Sequence, residues 1–66
     1  MIKFVNDLYD ASKCVRIVNP SQQYKYMKHG IYPIDIYPGY DGRIVYVFIK
    51  DETKEIYQKW IDHELD

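Results

Sequence analysis

The fold is decided by one apolar stretch, Arg43-Ile44-Val45-Tyr46-Val47-Phe48-Ile49-Lys50. Its central residues are apolar without a break, and successive side chains of a strand point to opposite faces of the sheet. Both faces of this strand are therefore apolar, which is typical of a strand with neighbours on both sides. We predict that residues 43–50 form the central strand of a small sheet.

Two further strands are predicted on the N-terminal side of this stretch. Residues 38–42 combine a proline, two glycines and an aspartate, which is a composition typical of a turn. Before that turn, residues 32–37 place isoleucines on one face and polar or amphipathic side chains on the other. Pro33 cannot donate a backbone hydrogen bond, which favours a sheet edge for this strand. The short β-branched run at residues 14–18 is the third predicted strand.

The first helix is predicted over residues 20–29. Asn19 is a preferred N-cap, a proline fits the first helical position, and Gln22 stands where a capping box is completed. Gly30 can adopt the left-handed conformation that ends a helix, after which Ile31 can pack back onto the last turns. The residues expected to face the core are Tyr24 and Met27.

A second helix is predicted over residues 52–65. Asp51 is expected to cap it, and Glu52 and Glu55 suit the positive end of the helix dipole. Helical spacing predicts one inward face, on which Trp60 is expected to anchor the helix in the core. The members of this face are Thr53, Ile56, Tyr57, Trp60, Ile61 and Leu65.

These elements predict one α+β domain over residues 1–66, with a βαββα core over residues 14–65. We expect a three-stranded mixed sheet in the order 1-3-2, with both helices on one face. Residues 1–12 form an N-terminal segment outside this core, in which residues 2–5 are a candidate extra strand. The core is modest, since a chain this short buries only about 60% of the surface that it exposes when unfolded.

Two helices on one face leave the other face of the central strand without a cover. The uncovered set is either Val45, Val47 and Ile49 or Ile44, Tyr46 and Phe48. A monomer rarely leaves so large an apolar surface in water. We therefore expect the N-terminal segment, a second copy or a partner to cover it.

The charges are segregated along the chain, although the formal net charge is only −1. Residues 13–34 carry four basic and no acidic side chains, whereas residues 51–66 carry six acidic and two basic side chains. A net charge near zero argues against a strongly basic nucleic-acid-binding protein and against an acidic nucleic-acid mimic. Two oppositely charged segments can, however, orient a docking partner.

The sequence carries no arrangement typical of a catalytic or metal site. Cys14 is the only cysteine, which excludes an internal disulfide framework and a cysteine-rich zinc module. His29 falls in the last turn of the first helix, where the dipole favours a cation. His63 has Lys59 where a zinc-binding helix would place a second histidine. We expect a non-enzymatic cytoplasmic protein without a membrane span, metal, cofactor or small-molecule substrate.

Four segments carry a resemblance to a known group of proteins. They are Val15-Arg16-Ile17-x-Asn19-Pro20-x-Gln22, Tyr26-Met27-x-x-Gly30-Ile31-x-Pro33, Gly42-Arg43-Ile44-Val45-Tyr46-Val47-Phe48, and Thr53-Lys54 followed by Trp60. Over roughly residues 14–65 the chain resembles short uncharacterised proteins of Gram-positive bacteria, their phages and mobile elements. Small phage proteins of this size are often accessory or inhibitor proteins, including anti-CRISPR and other anti-defence proteins, that act by stoichiometric binding. The resemblance implies this setting and no catalytic residue.

Two functions remain open from the sequence. The first is protein binding or self-association, for example as a dimer, in which the eight tyrosines supply rigid contact area. The second is binding of single-stranded nucleic acid, with sheet tyrosines stacking on bases and flanking basic side chains contacting phosphates. We favour protein binding, through an occluding surface. The predicted partner-binding residues are Tyr37, Tyr40, Arg43, Tyr46, Arg16 and Lys28.

Overall fold

The fold is taken from a computed structural model, which describes residues 9–66 of the chain. Three strands form one sheet, and two helices pack on it. The elements are β1 (Cys14–Ile17), α1 (Pro20–Lys28), β2 (Asp35–Pro38), β3 (Ile44–Ile49) and α2 (Lys50–Ile61), with a 3-10 turn at Ala11–Lys13 before β1. The candidate extra strand at residues 2–5 lies outside the described residues.

The sheet has the predicted strand order, β1-β3-β2, with the apolar stretch in the centre. Val15 of β1 lies opposite Phe48, and Ile36 of β2 lies opposite Tyr46. Both pairings are antiparallel, so the sheet is antiparallel and not mixed as expected. The two outer strands do run in the same direction, but β3 separates them and they make no parallel ladder.

The β2–β3 hairpin is closed where the turn residues predicted it. The Gly39 amide donates to the Arg43 carbonyl at 2.7 Å, and Gly42 has a φ of 84° that other residues rarely adopt. β2 begins three residues later than predicted, at Asp35, because Pro33 has no amide for the ladder. β3 runs directly into α2 without a connecting residue.

Helix α1 begins and ends close to the predicted residues. The Asn19 carboxamide oxygen accepts hydrogen bonds from the amides of Ser21 and Gln22, which confirms the N-cap. Gly30 has a φ of 87° after the last turn, as expected for a left-handed helix end. The capping-box prediction for Gln22 is wrong, because its side-chain amide donates to the Tyr26 hydroxyl at 3.0 Å.

The inward face of α1 differs from the prediction. Tyr24 is exposed, while Gln22 and Gln23 are buried. The Gln23 side-chain amide donates to the carbonyl of Ile17 at 2.6 Å and to that of Ile44 at 2.9 Å. A glutamine therefore points inward because it satisfies backbone carbonyls at the point where β1 ends beside β3.

Helix α2 starts two residues before the predicted position. Ile49 occupies the N-cap without a side-chain hydrogen bond, so the prediction that Asp51 caps the helix is wrong. Asp51 and Glu52 instead lie in the first turn, where their charge still suits the helix dipole. The early start follows from β3, whose last residue passes directly into the helix.

Helix α2 also ends four residues before the predicted position. His63 adopts a φ of 58°, and the Glu64 amide donates to the Lys59 carbonyl at 2.8 Å. This left-handed reversal turns the chain back toward the sheet, as in other helix ends of this type. Leu65 is consequently buried in the core from a position beyond the helix.

The core lies between the helices and one face of the sheet. Tyr26 and Phe48 are fully buried and meet edge to face, with ring centroids 5.2 Å apart. Trp60 is half-buried against this cluster, and the Lys25 ammonium lies 5.5 Å from its ring centroid. Tyr57 and Ile61, both predicted to face inward, are exposed. The buried cluster comprises Ile17, Tyr26, Phe48, Ile56 and Leu65.

Candidate functional site

The sheet face opposite the helices, here called the open face, carries Val45, Val47 and Ile49. We expected the N-terminal segment, a second copy or a partner to cover this face, and its valines are already buried within a single molecule. Val47 is 1% exposed and Val45 is 7% exposed, while Phe48 on the helix side is 0% exposed. The central strand is thus shielded on both faces within one molecule, and the open face offers no broad apolar docking surface.

Two predicted binding residues, Arg16 and Tyr37, meet over the open face. Arg16 lies opposite Val47 and Tyr37 lies opposite Val45, on the two strands that flank β3. The Arg16 Nε donates a hydrogen bond to the Tyr37 hydroxyl at 2.9 Å. Because the pair spans the full width of the sheet, it covers the valines beneath it and contributes to their shielding.

A second polar bridge, between Tyr9 and Asp35, lies on the same face. The Tyr9 hydroxyl donates to the Asp35 carboxylate at 3.2 Å. Burial, followed by the charge of Asp35, raises the pKa of Tyr9 to about 12. The sequence analysis missed this contact because 26 positions separate the two residues and no local pattern joins them.

The remaining predicted residues do not assemble with this pair. Tyr40 is fully exposed at the tip of the hairpin. Arg43 beside it is paired with the Asp41 carboxylate at 3.1 Å, and its backbone amide donates to the same side chain. Lys28 is exposed at the end of α1, on a different element.

Tyr46 lies on the opposite side of the sheet from Tyr37. It is half-buried on the helix-bearing face, and its ring stacks on Phe48 with centroids 6.3 Å apart. The six predicted residues therefore fall on several separate surfaces. These tyrosines therefore do not form the single aromatic platform that the nucleic-acid hypothesis requires.

The exposed apolar surface lies on the helix-bearing face, along the β2 side. Ile34, Ile36 and Ile44 are 42%, 52% and 46% exposed, respectively. Ile36 faces Tyr46 and is therefore a diagonal neighbour of Ile44, which faces Pro38, and Ile34 lies two residues before Ile36. We call these three residues the isoleucine strip. Helix α2 packs over β1 and β3, away from the β2 side of the sheet.

A groove continues the isoleucine strip toward the start of α1. It encloses about 670 Å³ between α1 and the start of β3. Gln23 closes its inner end through the hydrogen bonds to Ile17 and Ile44. The groove can receive an apolar side chain of a partner. Its lining residues are Val18, Asn19, Pro20, Gln23, Arg43, Ile44 and Tyr46.

The cysteine and the histidines do not line the groove beside the isoleucine strip. Cys14 is half-buried, with its Sγ 3.5 Å from the Asp10 carbonyl. His29 Nε2 lies 3.3 Å from the Asp66 carbonyl, and His63 is exposed beyond α2. Within residues 9–66, no three side chains of histidine, cysteine, aspartate or glutamate come together as a metal site.

Comparisons with protein-family models, with curated proteins and with solved structures found no match for the chain. In the described part of the chain, neither helix has the length and apolar character needed to span a membrane. The geometry of the described residues therefore carries the functional argument.

Proposed function

We propose that this protein is a small non-enzymatic binding protein that occludes the surface of a partner protein. The observation that carries the proposal is the isoleucine strip, three isoleucines that are about half exposed on the β2 side of the sheet, away from α2. Single exposed apolar residues are ordinary, whereas a contiguous group beside a groove is typical of an interaction surface.

The strip and the groove have the layout of an interface centre with a polar rim. Completing the burial of three half-exposed isoleucines contributes about 3 kcal/mol, since full burial of each is worth about 2 kcal/mol. Half-buried Tyr46 forms the floor, and the Arg43–Asp41 ion pair stands at the rim. Contacts of this kind commonly supply much of the binding energy at the centre of an interface.

The expected occupant is a different protein with a protruding apolar side chain. A stable interface buries about 800 Å² on each partner, which is more than three half-exposed isoleucines provide. The partner must therefore also fill the groove beside Pro20 and Ile44. Two copies joined through their strips are the competing arrangement, which the crosslinking experiment distinguishes.

Protein binding is better supported than nucleic-acid binding. Arg16 and Tyr37 are bonded to each other, so a base or a phosphate would have to displace an existing contact. Tyr46 is occupied by its stacking on Phe48, so Tyr40 is the one predicted binding tyrosine that is fully exposed. Base stacking along a strand uses several exposed rings in sequence.

The resemblance to short proteins of phages and mobile elements favours one biological role. We propose that the protein acts stoichiometrically as an accessory or inhibitor protein, such as an anti-CRISPR or other anti-defence protein, in the cytoplasm of a bacterial cell or an infected host. Occlusion needs only affinity and a rigid contact surface, and a domain of 66 residues can supply both.

The test places a photo-crosslinking amino acid at position 36, in the strip, and at position 61 as a control. Ile61 is an exposed isoleucine of similar accessibility on α2, away from the strip. Proteins crosslinked in the native host are identified by mass spectrometry, purified and titrated against the unlabelled chain. Ile36→Glu and Ile61→Glu are then compared, after circular dichroism shows that both variants fold.

The proposal predicts a one-to-one complex whose affinity falls about a hundredfold with Ile36→Glu, because a carboxylate must be buried, and changes little with Ile61→Glu. Equal loss with the two variants contradicts it. So does crosslinking of position 36 only to a second copy of the chain. Binding of single-stranded oligonucleotides with a steep salt dependence would support the alternative function instead.

A further inference from the structure

The two edges of the sheet differ in the hydrogen-bond donors that they present. At the β2 edge, the outward Ile36 amide donates to the Asp35 carboxylate at 2.9 Å. Pro38, two residues further on, has no amide at all. An extended chain therefore finds few donors at this edge, which is a common way of preventing unwanted strand pairing.

The β1 edge is built differently. In an antiparallel pair, hydrogen-bonded and non-hydrogen-bonded residue pairs alternate along the strands. The hydrogen bond from Gly39 to Arg43 fixes this alternation in the hairpin, so the amide and carbonyl of Tyr46 point toward Ile17 of β1. The backbone groups of Arg16, which precedes Ile17, consequently point outward. No turn, cap or side chain among residues 9–66 accepts a hydrogen bond from its amide. This edge can continue the ladder with a further strand.

A groove runs along the same edge, between β1 and α2. It encloses about 520 Å³, and the exposed ring of Tyr57 forms part of its wall. A strand added to β1 would direct alternate side chains into this groove, onto Tyr57 and Thr53. The residues that line it are Val15, Arg16, Ile17, Val18, Asn19, Gln22, Lys50, Thr53, Lys54 and Tyr57.

The charged side chains around the groove indicate what kind of peptide segment it can bind. Lys50 and Lys54 stand along its α2 side, and Lys13 precedes β1. The neighbouring acid is Asp51, which lies 3.3 Å from the Lys54 ammonium. Two copies joined through their β1 edges would bring these basic groups together, and the repulsion disfavours that pairing.

We propose that the β1 edge binds an extended acidic segment of another protein by strand addition. The segment pairs its backbone with Arg16, places apolar side chains against Tyr57, and sets carboxylates near Lys50 and Lys54. Strand addition combines a main-chain ladder for affinity with side-chain pockets for specificity. The two grooves share Val18 and Asn19, but none of the three isoleucines of the strip lines the β1 groove, so either proposal can fail without the other.

The test uses the octapeptide Val-Thr-Glu-Thr-Val-Thr-Glu-Thr, whose valines and glutamates all lie on the groove-facing side of a strand. The matched control has lysine in place of each glutamate. The full-length chain labelled with ¹⁵N is titrated with each peptide and followed by NMR. We expect the acidic peptide to bind at least about tenfold more tightly and to shift the amides of Arg16 and Val18. Methylation of alternate peptide nitrogens, which removes the ladder donors, should abolish binding.

Two variants separate the edge from the strip. The double variant Lys50→Glu with Lys54→Glu should weaken the acidic peptide about tenfold or more, and an acid at position 50 suits the helix N-terminus. Ile36→Glu should leave peptide binding unchanged. Binding that shifts the Ile36 amide instead, or that survives methylation, overturns the proposal. So does slow hydrogen exchange of the Arg16 amide in the free protein, because the edge would then already be paired.

Discussion

Replacing Gln23 by leucine tests the physical account of how α1 is fixed to the sheet. The side-chain amide of Gln23 donates to the carbonyls of Ile17 and Ile44, at the place where β1 ends beside β3. Leucine has nearly the same volume and a similar helix propensity, but it donates no hydrogen bond. The substitution therefore removes the two hydrogen bonds while retaining the packing.

The expected cost is about 2–3 kcal/mol. Each hydrogen bond contributes about 1 kcal/mol net, and a buried carbonyl that the leucine leaves without a hydrogen-bond donor adds to that loss. A chain of this length has a total free energy of unfolding of about 3–10 kcal/mol. The variant should thus be near the limit of stability, although its apolar content is higher.

Urea unfolding followed by Trp60 fluorescence measures the difference, and Gln58→Leu is the matched control. Gln58 also lies on a helix and also donates from its side chain, but its partner Asp62 is exposed. We expect the control to change the free energy of unfolding by less than about 0.5 kcal/mol. If Gln23→Leu costs no more than Gln58→Leu, the hydrogen bonds do not fix the helix and the account is wrong.

Three further predictions concern single side chains. The Tyr9 phenol should titrate near pH 12 by NMR, so the stability that its hydrogen bond to Asp35 contributes persists below about pH 10 and is lost as the pH rises toward 12. A titration midpoint of the phenol at pH 10 contradicts this hydrogen bond. Gly30→Ala should lower the free energy of unfolding in urea by about 1 kcal/mol through backbone strain alone, because φ is 87° and an added Cβ meets no atom within 4 Å. An unchanged free energy of unfolding contradicts this account. Tyr26→Phe should lower the free energy of unfolding by about 1 kcal/mol in the same assay, since the Gln22 amide loses its acceptor. An unchanged urea midpoint would show that this hydrogen bond does not stabilise the fold.

Local chemistry was sufficient to predict the element order, the strand order and the ends of α1. Asn19 and Gly30 act through their own backbone and side-chain preferences, which depend little on the rest of the chain. The unbroken apolar run of β3 places it between two strands in any packing. The early end of α2 was missed, because the left-handed turn at His63 is stabilised by the burial of Leu65 against the sheet.

The candidate surfaces were predicted less well, because exposure depends on which elements cover which face. Tyr37 and Arg16 were correctly placed on the sheet, but the hydrogen bond between them joins strands 21 positions apart in sequence. Ile34 and Ile36 were recognised as one face of a strand. That their side of this face lies away from α2 follows only from the tertiary packing.

The amino-acid sequence by itself determined the alternation of elements and the central strand, since periodicity, caps and turns act over a few residues. It also determined the separation of basic and acidic segments along the chain. Only the tertiary structure decided which apolar side chains stay exposed and which sheet edge keeps its donors. Those properties arise from contacts between residues far apart in the chain, such as Gln23 with Ile44, and no local pattern encodes them.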